Sequence, residues 1–217
     1  MSVDDRDWGD LIIWMNFRNF LFSALILSFS ISCWAKSKLG EYYYGFGYSL
    51  VETDKGKKKE GDFLRLSAYG PNDSESDLSV HLDYGSVESN ASDGTSFGIG
   101  INYLVHFEDL TGSNSPVHPY IGIGISYLDE ETPILLAEDG FTWSMYVGSE
   151  FKINRSLSAY LGGKLYGLWS DFSVNDLMLC TGMTWWIDND HGVTFDYAKY
   201  LDSELNQFTL QYLYSWK

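Results

Sequence analysis

QFTLQYLYSWK, residues 207–217, is apolar at every second position: Phe208, Leu210, Tyr212, Tyr214 and Trp216. The interleaved set, Gln207, Thr209, Gln211, Leu213 and Ser215, is polar but for one leucine. Period-two alternation of this kind makes a strand with one apolar face and one wet face. Left at an open sheet edge, such a strand invites aggregation. It fits instead as the closing strand of a barrel whose outside is lipid, where every backbone group must find its partner inside the protein.

The same theme runs back through the chain. Tyr42–Val51 alternates Tyr42, Tyr44, Phe46, Tyr48 and Leu50 against Tyr43, Gly45, Gly47, Ser49 and Val51. Phe63–Tyr69, Leu78–Tyr84, Thr95–Phe107, Tyr120–Leu128, Phe141–Ile153, Leu157–Trp169, Leu177–Ile187 and Val193–Tyr200 repeat the pattern. With the terminal stretch these make ten strands, most near the ~9–11 residues that a tilted membrane strand needs. Phe63–Tyr69, at seven residues, is a short one. The breaks between strands carry turn chemistry: Gly70-Pro71-Asn72-Asp73, Ser86–Gly94, Asn154-Arg155-Ser156 and Asp188–Gly192. The expected fold is all-β, an up-and-down antiparallel transmembrane β-barrel of ten strands, with eight as the alternative, spanning 36–217.

Composition agrees. Aromatics at 17% with 21 Gly and only 4 Pro suit pleated sheet surfaces. A formal charge of −16 would repel phosphate backbones, so nucleic acid is excluded as a partner. The two cysteines, Cys33 and Cys180, form no CxxC, and the four histidines form no close pair, so no metal site and no cofactor are expected.

Phe20–Ile31 is an unbroken run of apolar and small residues, preceded by Arg18 and followed by Ser32-Cys33-Trp34-Ala35. Residues 1–35 therefore read as a secretory signal peptide for Sec export, cleaved after Ala35; an uncleaved anchor is the alternative. The acids Asp4, Asp5, Asp7 and Asp10 do not suit a signal n-region, which points to Met15 as the true start. Ser30 replaces the Leu-like residue of a lipobox, against lipidation at Cys33. Without residues 1–35 the charge is −14.

Which face is outside follows from what the other face holds. The inner set carries Arg65, His81, Asp83, Glu150, Lys164 and Asp196 among Gly, Ser and Thr. A dry ligand cavity would hold such charges only at a cost, whereas a polar lumen pairs them. The outer set places Tyr42, Tyr84, Phe107, Tyr127, Phe141, Trp143, Trp185 and Trp216 toward strand ends, as aromatic girdles require. A soluble lipocalin-like ligand binder with its apolar face inward is the competing reading.

His81 with Asp83, and His106 with Glu150 across the lumen, are the pairs that could serve acid–base chemistry. As lumen-filling groups they need no catalytic role, and no GxSxG, HExxH or P-loop is present. No catalytic residue is assigned. A lipid-modifying barrel enzyme stays as an alternative. Lys55, Lys57, Lys58 and Lys59 lie in an outer loop and could contact a surface anion such as lipopolysaccharide phosphate. Cys180 reads as a small inward residue beside Gly182.

The chain resembles the small outer-membrane β-barrels of Gram-negative bacteria, the opacity-protein and OmpA-like transmembrane barrels of the porin-like superfamily. The resemblance rests on Tyr44–Tyr48 (Tyr-Gly-Phe-Gly-Tyr), Pro119-Tyr120-Ile121-Gly122-Ile123-Gly124, Gly148-Ser149-Glu150-Phe151-Lys152 and the aromatic last strand. It covers Tyr42–Lys217 and implies cell-envelope architecture rather than activity. Those barrels usually have eight strands and end on Phe or Trp; here ten are read, and Lys217 follows Trp216. The expected role is structural or surface-interacting, with a lumen largely filled by side chains; a narrow porin-like channel is the runner-up. The expected partners are outer-membrane lipid and the barrel-assembly machinery, the latter through Phe208, Leu210, Tyr212, Tyr214 and Trp216.

Overall fold

A computed structural model describes residues 37–53, 59–89, 93–107, 115–131 and 139–216. The signal-peptide reading and the lysines at 55, 57 and 58 lie outside these residues. Among them stand ten strands: β1 (Tyr43–Thr53), β2 (Lys59–Pro71), β3 (Ser76–Ser89), β4 (Asp93–His106), β5 (Val117–Glu130), β6 (Gly140–Lys152), β7 (Leu157–Leu168), β8 (Asn175–Trp186), β9 (His191–Tyr200) and β10 (Leu205–Ser215). Each pairs antiparallel with its sequence neighbours, and β1 pairs with β10, so the sheet is a closed barrel. The expected up-and-down barrel of ten strands is the observed one.

The alternation decides the facing. On β1, Tyr44, Phe46, Tyr48 and Leu50 are exposed, while Tyr43, Ser49 and Val51 are buried. On β10, Phe208, Leu210, Tyr212 and Tyr214 point out; Thr209, Gln211 and Leu213 point in. Ile121, Ile123, Ile125, Met145, Val147, Leu161 and Leu179 continue the outward belt around the wall. Leu213, the one leucine that broke the polar pattern, is fully buried. A closed wall with such an exterior suits lipid, because no strand edge is left to be solvated.

Aromatic residues finish the belt at both ends. At the end where β1 begins and β10 finishes, here termed proximal, Trp216 stacks on Tyr44 at 4.0 Å and meets Tyr42 at 5.7 Å. At the opposite, distal end, Tyr127 packs edge-on to Phe141 at 5.3 Å, and Trp143 and Trp169 close on Phe172. Flat amphipathic rings in two bands are what the two interfaces of a bilayer favour.

The strands run further than hydropathy alone indicates. β2, read as a short one, has 13 residues, because Lys59–Asp62 continue its ladder against Ser86–Ser89. The expected Ser86–Gly94 loop is mostly strand: β3 reaches Ser89 and β4 begins at Asp93. These ends are polar but hydrogen-bonded, and pairing rather than hydropathy extends them. The turn expected over Gly70–Asp73 sits two residues later. Asp73 accepts the Glu75 amide N–H at 2.9 Å, a bond that lowers its carboxyl below the usual carboxylate range. A distal acid also holds a turn. Asp176 accepts the amides of Asp202 (2.9 Å) and Ser203 (3.1 Å), which pins the β9–β10 turn.

Leu210 stands at the middle of β10 on the outer face. Leu210→Arg is expected to destabilise the barrel in lipid vesicles by about 2–4 kcal/mol, read from urea unfolding. A neutral or stabilising effect would place that face in water.

Candidate functional site: a layered lumen

The interior is built in layers along the barrel axis. At the distal end Val51, Phe63, Val87, Tyr166, Leu168, Ala198, Tyr200 and Leu205 form a buried apolar cluster, with Leu128, Val174, Met178 and Cys180 packed on it. The eight buried residues come from β1, β2, β3, β7, β9 and β10, each in the distal half of its strand. At the proximal end Tyr43, Tyr69, Trp186 and Leu213 form a second cluster, joined by Leu39 and Leu104. Tyr43 and Tyr69 stack at 4.8 Å there, and Trp186 meets Tyr43 edge-on at 6.3 Å. The lumen is thus not polar throughout: an apolar cluster lies near each end, the proximal one beside the buried Asp77, His106 and Glu150. Of the buried residues in the two clusters only Val87 and Leu205 lie outside the alternating stretches; the others fall within them, and single apolar residues on an inward face give no sign that they meet across strands.

Between the clusters lies a polar layer around a cavity of about 320 Å³. Arg65 on β2 grips Asp83 on β3 through two parallel bonds, Nε to Oδ1 at 2.6 Å and Nη2 to Oδ2 at 3.0 Å. The two residues are direct cross-strand partners, so register alone brings them together. His81 Nδ1 lies 3.3 Å from Asn102 Nδ2, and Tyr146 donates to Asn102 Oδ1 at 2.6 Å. Lys164 Nζ sits over the Tyr146 and Tyr166 rings at 5.2 and 5.3 Å, favourable cation–π geometry. Asp196 accepts the Tyr160 hydroxyl at 2.9 Å, and Gln211 donates to Ser67 at 2.9 Å.

Glycines make room for these side chains. Gly100 is the cross-strand partner of His81, and a Cβ on it would stand 2.5 Å from His81 Cε1. Gly182 pairs with both Tyr160 and Asp196, and a Cβ there would stand 2.5 Å from the Tyr160 ring. The inner glycines of the sequence pattern therefore sit opposite bulky polar groups.

Of the six residues read as a polar lumen cluster, Arg65, His81, Glu150, Lys164 and Asp196 line the cavity, and Asp83 is held beside it by Arg65. Glu150 lies toward the proximal end, where it is buried and accepts bonds from Ser158 Oγ (2.6 Å), the Lys38 amide (3.0 Å) and Ser37 Oγ. The expected approach of His106 to Glu150 is replaced by another pairing: His106 Nε2 lies 3.5 Å from Asp77 Oδ2. Asp77 had no signal in the sequence, since it falls at the very start of β3. Nor does Asp83 present itself as an orienter for His81, because the Arg65 fork engages both its oxygens. Cys180 lines the cavity, as expected of an inward residue. Lys59 opens β2 as the partner of Ser89.

Arg65→Ala would leave Asp83 with an uncompensated charge. The expected loss is up to about 3–5 kcal/mol in chemical denaturation, with Arg65→Met/Asp83→Leu recovering most of it. Equal losses for the single and double variants would contradict the pairing.

No family model matches the chain, and no curated protein is found to be related to it by sequence. Solved structures do resemble it in shape. An outer membrane channel from Pseudomonas putida F1 superposes with TM-score 0.52 at 8% identity, over 86% of this chain and 99% of that one. The translocator domain of the autotransporter NalP from Neisseria meningitidis gives TM-score 0.48 at 8% identity, over 96% and 98%. Neisserial surface protein A gives 0.38 at 16% identity, over 83% and 100%. With the closed ten-stranded wall and its apolar exterior, the first likeness identifies the fold of this chain as that of an outer-membrane β-barrel.

Proposed function

We propose that this protein is an integral outer-membrane β-barrel with a structural or surface-interaction role, and that its lumen is occluded rather than open. The observation that carries this reading is the pair of buried apolar clusters, one near each end of the lumen. An open aqueous pore needs a continuous polar path, and ten strands lie well below the 16–18 that leave a wide channel. Two apolar layers interrupt that path. Export through the Sec pathway and recognition of the β10 aromatics by the assembly machinery belong to the same proposal. So do the affinity of the Lys55–Lys59 loop for surface anions and membership of the opacity-protein and OmpA-like group.

A narrow channel is the second reading. The cavity of about 320 Å³ and the charged side chains among its lining residues favour it. Conduction would then require one apolar cluster to part. An enzymatic role has less support, because the carboxylate nearest His81 on its strand is bound by Arg65. Reconstitution into planar bilayers separates the readings. The purified protein is expected to show no defined open level; discrete, reproducible conductance steps would favour the channel.

A further inference from the structure

The residues just before β1 do not trail away from the barrel. Ser37 Oγ and the Lys38 amide donate to Glu150 on β6. The Gly40 amide donates to both oxygens of Asp77 on β3, each at 3.2 Å. In the closed ring of ten, β6 stands five strands from β1 in either direction and so lies opposite it. A chain bound to an inward carboxylate of β6 at residue 37 that enters β1 at residue 43 must cross the proximal mouth of the lumen.

The crossing is anchored along its length. Leu39 packs on the proximal apolar cluster, and its amide donates to Ser37 Oγ at 3.1 Å. The Lys38 side chain points toward the cavity, with Nζ 5.7 Å from the Tyr160 ring. Gly40 has φ +76°, the left-handed region that glycine adopts without strain, and there the chain turns toward β1. The anchors are the decisive point. Glu150 and Asp77 are 3% and 0% exposed, and a buried carboxylate is tolerated only when donors satisfy it. Backbone N–H groups of the crossing segment supply donors to each.

We propose that Ser37–Gly40 is a built-in strap, latched by Glu150 and Asp77, that closes the proximal mouth and shuts the lumenal cavity off from that side. The strap forms part of the floor of the lumenal cavity. The strap makes no strand pairing of its own, and its Leu39 packs on the proximal cluster, so its release opens that cluster and admits solutes to the Cys180 side of the cavity. The strap would be present in the barrel with or without a surrounding membrane, so its failure is distinct from failure of the membrane reading.

Cys180 is the natural reporter, since it lines the cavity. In a Cys33→Ser background it is the single thiol of the chain. Reaction with N-ethylmaleimide in the folded protein is expected to be slow. Glu150→Ala, and separately Gly40→Ala, are expected to speed it by about tenfold or more, as release of a local closed unit does. An alanine at position 40 meets nothing within 4 Å, so its effect comes from φ alone. Retained folding is checked by the mobility of the unheated protein on a gel. The distal cluster is the same in all variants and cannot cause a difference between them. Unchanged labelling in a folded variant, or fast labelling of the parent, overturns the strap. Should Glu150→Ala not fold, amide exchange in the parent decides: slow exchange at Lys38 and Gly40 supports the latch, and rapid exchange in a folded barrel overturns it.

Discussion

Closure of the wall between β1 and β10 is the constraint on which everything else depends. An exterior of Ile, Leu, Phe and Tyr offers the backbone no water, so each strand must find two partners. The seam runs without a break from Tyr43 opposite Ser215 to Thr53 opposite Leu205. Because side chains alternate, that register also decides which residues meet lipid and which meet the lumen. A slip by one residue would turn Leu210 and Phe208 inward and Gln211 and Thr209 outward, exchanging the two environments at every position. Fold and facing are therefore one decision, made along the whole ladder.

The same closure explains the lumen. Once the wall is fixed, inward positions form a column too narrow to stay empty, and its composition varies with height. Apolar side chains gather near the two ends. Between them, charges survive because inward neighbours satisfy them: Arg65 with its cross-strand partner Asp83, and Asp196 with Tyr160 across Gly182. Glycines facing His81 and Tyr160 keep the layer from overpacking. This ordering favours occlusion, and it places the ionisable groups where their first task is to hold one another.

Much of this was legible in the sequence, because alternation is local. The outward residues of β1, β4, β5 and β10, and the number of strands, follow from reading every second residue. What stayed hidden is non-local. The distal ends of β3 and β4 are polar ladders that carry no hydropathy signal. Val51, Leu205 and Leu213 face inward at strand ends, where an apolar residue looks like an irregularity. The partner of His106 depends on how strands stagger around the barrel, so Glu150 was as plausible as Asp77 until the register was known. Ser37–Gly40 lies beside the expected cleavage site and has no periodic pattern at all; Gly40 alone hints at a turn.

The central claim is that this alternation faces lipid outside a closed wall. The most direct test is the gel mobility of membrane-extracted protein, unheated against boiled, together with its cellular fraction. A wall with no open edge resists detergent until heated. The account predicts a heat-dependent shift and recovery in the outer-membrane fraction. A single heat-independent band from protein soluble without detergent would contradict it, and would turn the apolar face inward.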